Sequence, residues 1–195
     1  KTPVAMRVKV CIREFANEVK LLVGPDSSQR ILRNRNITQA HLQIWSKGLQ
    51  SSREYIAVFE DDVEIHERSF AEQLTTAIKK ARKRSGINHG FALFLSESFS
   101  LETHGLPTAE LSASKLGECE MVSHNTVGWC DTVAATVYSR DFLEYLANFF
   151  QSIPSLFLWT IPVDWLVDLA IQQSAKESPL QTFHLIPGLC RQRSM

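Results

Sequence analysis

The chain has 195 residues with 21 basic and 21 acidic side chains, so no net field draws it onto nucleic acid or an anionic membrane. Apolar residues make up 44% and charged residues 22%, which excludes disorder as the default state and allows one domain with a real core. No run of about eighteen uninterrupted apolar residues occurs, and the start Lys1-Thr2-Pro3 lacks a signal-peptide pattern.

The expectation is therefore a single domain over residues 1–195, without a transmembrane segment and cytoplasmic, either standing alone or cut from a longer protein. Cys11, Cys119, Cys130 and Cys190 match no zinc-module spacing, and there is no C-x-x-C. They read as free thiols, with Cys119 and Cys130 the first pair to check for a disulfide.

In chain order, residues 4–12 alternate towards their end and read as a strand. Residues 19–23 read as a second short strand, closed by the turn signature Gly24-Pro25-Asp26. Arg30, Arg33 and Arg35 cluster before the first predicted helix, which covers residues 38–49 with Asn36 or Thr38 as N-cap.

Tyr55-Ile56-Ala57-Val58-Phe59 is an unbroken apolar run that predicts a central strand covered on both faces. A helix is predicted over residues 69–84. Its basic end, Lys79, Lys80, Arg82, Lys83 and Arg84, reads as a solvated face that complements the helix dipole. Residues 91–95 form another buried strand, 96–122 an irregular connection, and 133–138 a strand. Helices follow over 140–150 and 162–174, with Pro162 in a first-turn position. The last strand is 182–186. Strands alternating with helices predict an α/β sheet covered on both faces.

The chemistry concentrates at Val58-Phe59-Glu60-Asp61-Asp62-Val63-Glu64, where three consecutive carboxylates follow a buried strand. In open α/β sheets that edge is where ligands bind. Crowded like charges need a positive partner, and Mg²⁺ or Mn²⁺ takes one or two carboxylates, then completes its shell with water and phosphates. A solvated acidic turn is the plain alternative.

Ile37-Thr38-Gln39-Ala40-His41-Leu42-Gln43-Ile44-Trp45, followed by Tyr55 through Val63, resembles glycosyltransferases related to the lipooligosaccharide (LPS) galactosyltransferases. That family has a Ser-His-Leu and Trp helix shortly before an apolar strand ending Glu-Asp-Asp-Val. Residues 128–140, ending Val137-Tyr138-Ser139-Arg140, resemble its later strand ending Ile-Ser-Arg. Pro162-Val163-Asp164-Trp165-Leu166 resembles its Pro-Val-Asp-Trp segment. Two positions depart from the pattern: Ile12-Arg13-Glu14-Phe15 stands where the family has Asn-Leu-Asp-Arg, and Ala40 where it has Ser before His.

The resemblance implies a GT-A fold, an α/β Rossmann-like architecture with a mixed, mostly parallel sheet flanked by helices. It implies a metal motif Glu60-x-Asp62, with Mn²⁺ or Mg²⁺ as cofactor. Asp62 would be the direct ligand, Glu60 would act through water, and Asp61 would approach the ribose or the donor sugar. His184 would complete the shell as the C-terminal histidine of some GT-A enzymes does, or be a partly buried strand residue.

The partners so implied are a nucleotide-sugar donor, with UDP expected, and a glycan acceptor. Inversion is expected, by one in-line displacement. Asp164, flanked by apolar residues that would raise its pKa, is the candidate base, and Asp131 is the runner-up. The plain reading of Asp164 is a helix N-terminal charge. Arg13 and Arg35 are candidate phosphate partners. His41 would contact the nucleotide or fix its helix. Trp129, Trp159 and Trp165 read as a sugar platform or as core.

Two other readings fit an acidic strand end. A nucleotidyltransferase would need a Gly-rich phosphate loop, but Gly24 is isolated and G-x-G-x-x-G is absent. A non-catalytic glycan- or nucleotide-sugar-binding module would keep the fold and lose the chemistry.

Overall fold

A computed structural model describes residues 27–65, 69–86, 89–96, 120–124, 133–177, 180–186 and 188–192. The strands predicted over 4–12 and 19–23 lie outside these residues, as do Arg13, Asp131, Trp129, Cys11, Cys119 and Cys130.

Helix α1, Ser27–Gln50, starts well before the predicted residue 38. Its buried stripe is Asn34, Thr38, His41, Trp45 and Gly48, spaced by alternate steps of four and three. That stripe is polar or small at most positions, so an apolar pattern cannot reveal the first half of the helix. Gly48 has a packing reason: a Cβ there would stand 2.9 Å from Ile56 Cγ1 and 3.3 Å from Leu143 Cδ2.

Strand β1, Tyr55–Phe59, leads through the acidic turn to a short β2, Val63–Ile65. Helix α2, Phe70–Ser85, precedes β3, Phe91–Phe94. Strand β4, Glu120–Ser123, begins within the last residues of the connection expected to be irregular. Strand β5, Ala135–Ser139, then leads directly into helix α3, Arg140–Ser152. A short α4, Ser155–Thr160, was not predicted. Helix α5, Val163–Glu177, β6, Gln181–Ile186, and β7, Cys190–Gln192, complete the described fold.

The main sheet has the order β1-β5-β3-β6-β4. Strands β1, β3 and β6 point the same way, and β5 and β4 point back. Among the described residues the β3/β6 pair is parallel and the other three pairs are antiparallel. The α/β class and the mixed, helix-flanked sheet are as predicted, but this sheet is mostly antiparallel. The cause is β5, which enters between β1 and β3 from the edge where both of them end. Glu60 N–H donates to Ala134 O at 2.7 Å, and Leu95 N–H to Ala135 O at 2.9 Å, which ties that edge together.

Strand β1 is also not central among the described residues. It ends the strand order, and Ala57 and Phe59 are exposed. The wholly buried strands are β3 and β5.

Alternation splits the core in two. Ala92, Phe94 and Tyr138 face α1, α3 and α5, where Trp45, Phe142, Leu146, Phe150 and Leu166 pack. Phe91, Leu93 and Val137 face α2, against Ala77 and Ala81.

Ser139 and Arg140 knit these layers. The Ser139 hydroxyl accepts from Phe91 N–H at 2.7 Å and caps α3 by accepting from Phe142 N–H at 3.4 Å. The Arg140 guanidinium donates to Leu49 O at 2.6 Å and Ser51 O at 2.7 Å, the carbonyls at the end of α1. The small β2/β7 ribbon hangs across the carboxyl edge of the sheet, held by Cys190 N–H to Leu95 O at 3.1 Å.

Candidate functional site

The turn after β1 presents Glu60, Asp61 and Asp62 at the carboxyl edge. Val63 N–H donates to Glu60 O at 3.3 Å and holds the turn. Asp61 is exposed, whereas Glu60 and Asp62 are half-buried.

Behind Glu60 stands His41, from the buried stripe of α1. Its Nε2 lies 3.2 Å from Glu60 Oε1, and its side chain is 4% exposed against 26% for the glutamate. His41 leans on Trp45, with ring centroids 5.5 Å apart. Trp45 in turn meets Tyr138 and Phe150 edge-on, at 6.1 and 5.0 Å. A histidine to which the sequence assigned no clear chemistry is thus a rigid brace for the first carboxylate. The signal was its position one helical turn before Trp45.

Asp164 is half-buried in the first turn of α5. The last turns of that helix, at Ile171, Ser174 and Ala175, meet Leu180, Gln181 and Thr182 at the start of β6, around a cavity of about 90 Å³. Helix α5 therefore runs opposite to β6, and its N-terminus lies towards the carboxyl edge that also carries the acidic turn.

The first half of α1 passes beyond the same edge and packs on α4. Asn34 Nδ2 donates to Thr160 O at 2.8 Å, and the exposed Arg35 places its guanidinium 5.8 Å from the Trp159 ring centre. Both α4 and Arg35 are thus near the chain that enters α5.

His184 is not part of this grouping. It is fully buried on β6, stacked on Phe94 with centroids 4.7 Å apart. The pairings Val58↔Thr136, Thr136↔Phe94 and Phe94↔His184 put it three strands from β1. That is about 14 Å at the usual inter-strand spacing. His184 therefore does not complete a metal shell with Glu60 and Asp62. Burial pushes its pKa well below the ordinary 6.5, and His124 beside it adds to the effect.

Its partner set was missed by the sequence reading. His184 Nε2 lies 2.9 Å from His124 Nδ1, and His124 Nε2 lies 3.2 Å from Asp168 Oδ1. Gln172 Nε2 donates to Asp168 Oδ2 at 2.6 Å. His124 lies just past the connection predicted over 96–122, where no element is predicted, and Asp168 falls inside the helix predicted over 162–174.

Among the described residues no group of three or more His, Cys, Asp and Glu side chains is placed to hold a metal by itself. The oxygen donors Glu60 and Asp62 suit a hard cation that keeps open positions for water and phosphate, and they do not suit an all-protein cage.

The family model described as glycosyltransferase family 25 (LPS biosynthesis protein) matches residues 37–166. The chain belongs to glycosyltransferase family 25. It is a glycosyltransferase, and a sugar donor and a glycan acceptor follow from that membership. No curated protein matches it.

The family 25 match starts within α1, one residue before Thr38, and ends in the first turn of α5. It contains His41, the acidic turn, Ser139-Arg140 and Asp164, while Asp168 and His184 lie beyond it. None of the described helices is long and apolar enough to cross a membrane.

Proposed function

We propose that this family 25 glycosyltransferase moves a hexose-type sugar from a UDP-sugar to a glycan hydroxyl, with inversion and with a divalent cation. The observation that carries the reading is the acidic turn at the carboxyl edge, with Glu60 braced by a buried His41 3.2 Å away. A solvated turn would not need a buried histidine behind it.

Asp62, with Glu60 behind it, would hold Mn²⁺ or Mg²⁺, and the bound cation would stabilise charge on the departing diphosphate. The exposed Asp61 would reach the ribose or donor sugar, and Arg35 or Arg13 would meet the phosphates.

Asp164 is the proposed base. As the acceptor oxygen bonds to the anomeric carbon, the bond from that carbon to the diphosphate oxygen breaks. The hydroxyl proton passes to the Asp164 carboxylate. Such proton removal contributes roughly 10²–10⁴-fold. Asp131 is the second candidate and lies outside the described residues.

Calorimetric titration with a panel of UDP-sugars, in Mn²⁺ and again in EDTA, tests the reading. Binding of one UDP-sugar in Mn²⁺ and its loss in EDTA is the expected result. Equal binding in both would remove the cation from the proposal, and no binding in either would remove the UDP donor.

A further inference from the structure

The Asp168–His124–His184 set contains three buried titratable groups for which the proposed chemistry has no use. Asp168 is fully buried, His124 is 4% exposed and His184 is fully buried. A buried carboxylate is costly unless charge or hydrogen bonds compensate it, so the set is held to a narrow geometry.

It also joins three elements through side chains: α5 by Asp168, the end of β4 by His124 and β6 by His184. Burial keeps His184 neutral, and its Nε2 shares a hydrogen bond with His124 Nδ1 at 2.9 Å. His124 Nε2 in turn stands 3.2 Å from Asp168 Oδ1, an ion-pair approach rather than an aligned hydrogen bond.

Asp168 lies four residues after Asp164 on α5, so the two side chains share one face of the helix. Gln172, another four residues on, grips the second Asp168 oxygen at 2.6 Å. Rotation of α5 about its axis would part Asp168 from His124 and swing Asp164 with it.

We propose that Asp168, set against His124, which His184 holds from behind, is a positioning residue that sets the rotation of α5 and so aims Asp164 at the acceptor hydroxyl. This rests on Asp164 being the base. Misplacing a reacting group by about 1 Å costs on the order of 10²-fold. The effect belongs in kcat, because the donor is held elsewhere, at the acidic turn.

The test compares Asp168→Leu, Asp168→Asn, His124→Gln and Asp164→Asn in full steady-state kinetics, with circular dichroism as the check on folding. Asp168→Leu should lower kcat by about 10–100-fold while the donor KM stays within about twofold. Asp168→Asn keeps the side-chain shape and a polar oxygen beside His124 and should recover most of the rate. If the leucine variant does not fold, His124→Gln carries the same expectation of a kcat loss at constant donor KM.

Wild-type kcat in folded Asp168→Leu or His124→Gln, beside an inactive Asp164→Asn, would overturn the positioning role. So would a rise in donor KM that matches the fall in kcat. Full activity in Asp164→Asn would instead remove the base assignment itself, whatever the Asp168 variants do.

Discussion

His41 Nε2 stands 3.2 Å from Glu60 Oε1, so a buried helix residue nineteen positions upstream holds the first carboxylate of the acidic turn. The pair joins α1 to the end of β1 just where that strand delivers its charges. Groups that orient a metal-binding carboxylate from behind are typically worth 10–100-fold in metal affinity or activity. His41→Leu should therefore weaken Mn²⁺-dependent donor binding by about tenfold, read as the calorimetric Kd, and leave the circular dichroism spectrum unchanged. An unaltered Kd would reduce His41 to a packing residue.

Asp62→Ala should abolish metal-dependent donor binding. Asp62 is half-buried in a turn held by backbone hydrogen bonds, so the substitution leaves the fold in place. Retention of full transfer activity by the folded variant would show that the cation site lies elsewhere.

Gly90 sits where β3 begins beneath α3. A Cβ there would stand 2.8 Å from the backbone nitrogen of Phe142 and 2.8 Å from Leu180 Cδ2. The backbone atom cannot step aside as a flexible side chain can. Gly90→Ala should cost about 1–3 kcal/mol, as overpacking does. The midpoint of thermal unfolding should fall by about 2–4 °C for each kcal/mol lost. A midpoint within one degree of wild type would mean that α3 can move away.

Stability should also depend on pH through His184. Its folded pKa is depressed by burial and by His124, so the unfolded chain binds this proton more readily. The contribution is fully present above the unfolded value of 6.5 and is lost as pH falls below it towards the folded value. In that window a single proton gives a slope of about 1.4 kcal/mol per pH unit. Urea unfolding at pH 7.5 and 5.5 should show the loss, and His184→Asn should flatten the difference. An equal slope in the variant would show that His184 is not the group that titrates.

The Cys190 thiol is buried, and desolvation pushes its pKa up to about 11. Little thiolate exists at pH 8, and the thiolate is the reactive form. Iodoacetamide should leave Cys190 unmodified in the native protein and label it after unfolding, as read by peptide mass spectrometry. Rapid native labelling would contradict the burial of this strand.

What the sequence determined by itself is local or contiguous. The α/β alternation, the strand at Tyr55–Phe59, the helix that begins at Arg140 and the acidic turn each depend on neighbours a few residues away. The three segments around His41, Ser139 and Asp164 suffice for the family, because each is an unbroken string.

What the tertiary structure decided is long-range. The first half of α1 stays hidden because its buried side chains include Asn34, Thr38 and His41, which carry no apolar period. Insertion of β5 makes the described sheet mostly antiparallel and leaves β1 at one end, and no local pattern encodes which strand pairs with which. The three-residue strands β2 and β7 exist only through each other. His184 looked like a metal ligand on a last strand, yet the strand order carries it away from Glu60 and Asp62 and sets it against His124. The closing of His41 on Glu60 and of His124 on Asp168 each joins distant stretches of chain, and only the packed helices and sheet bring those side chains within reach.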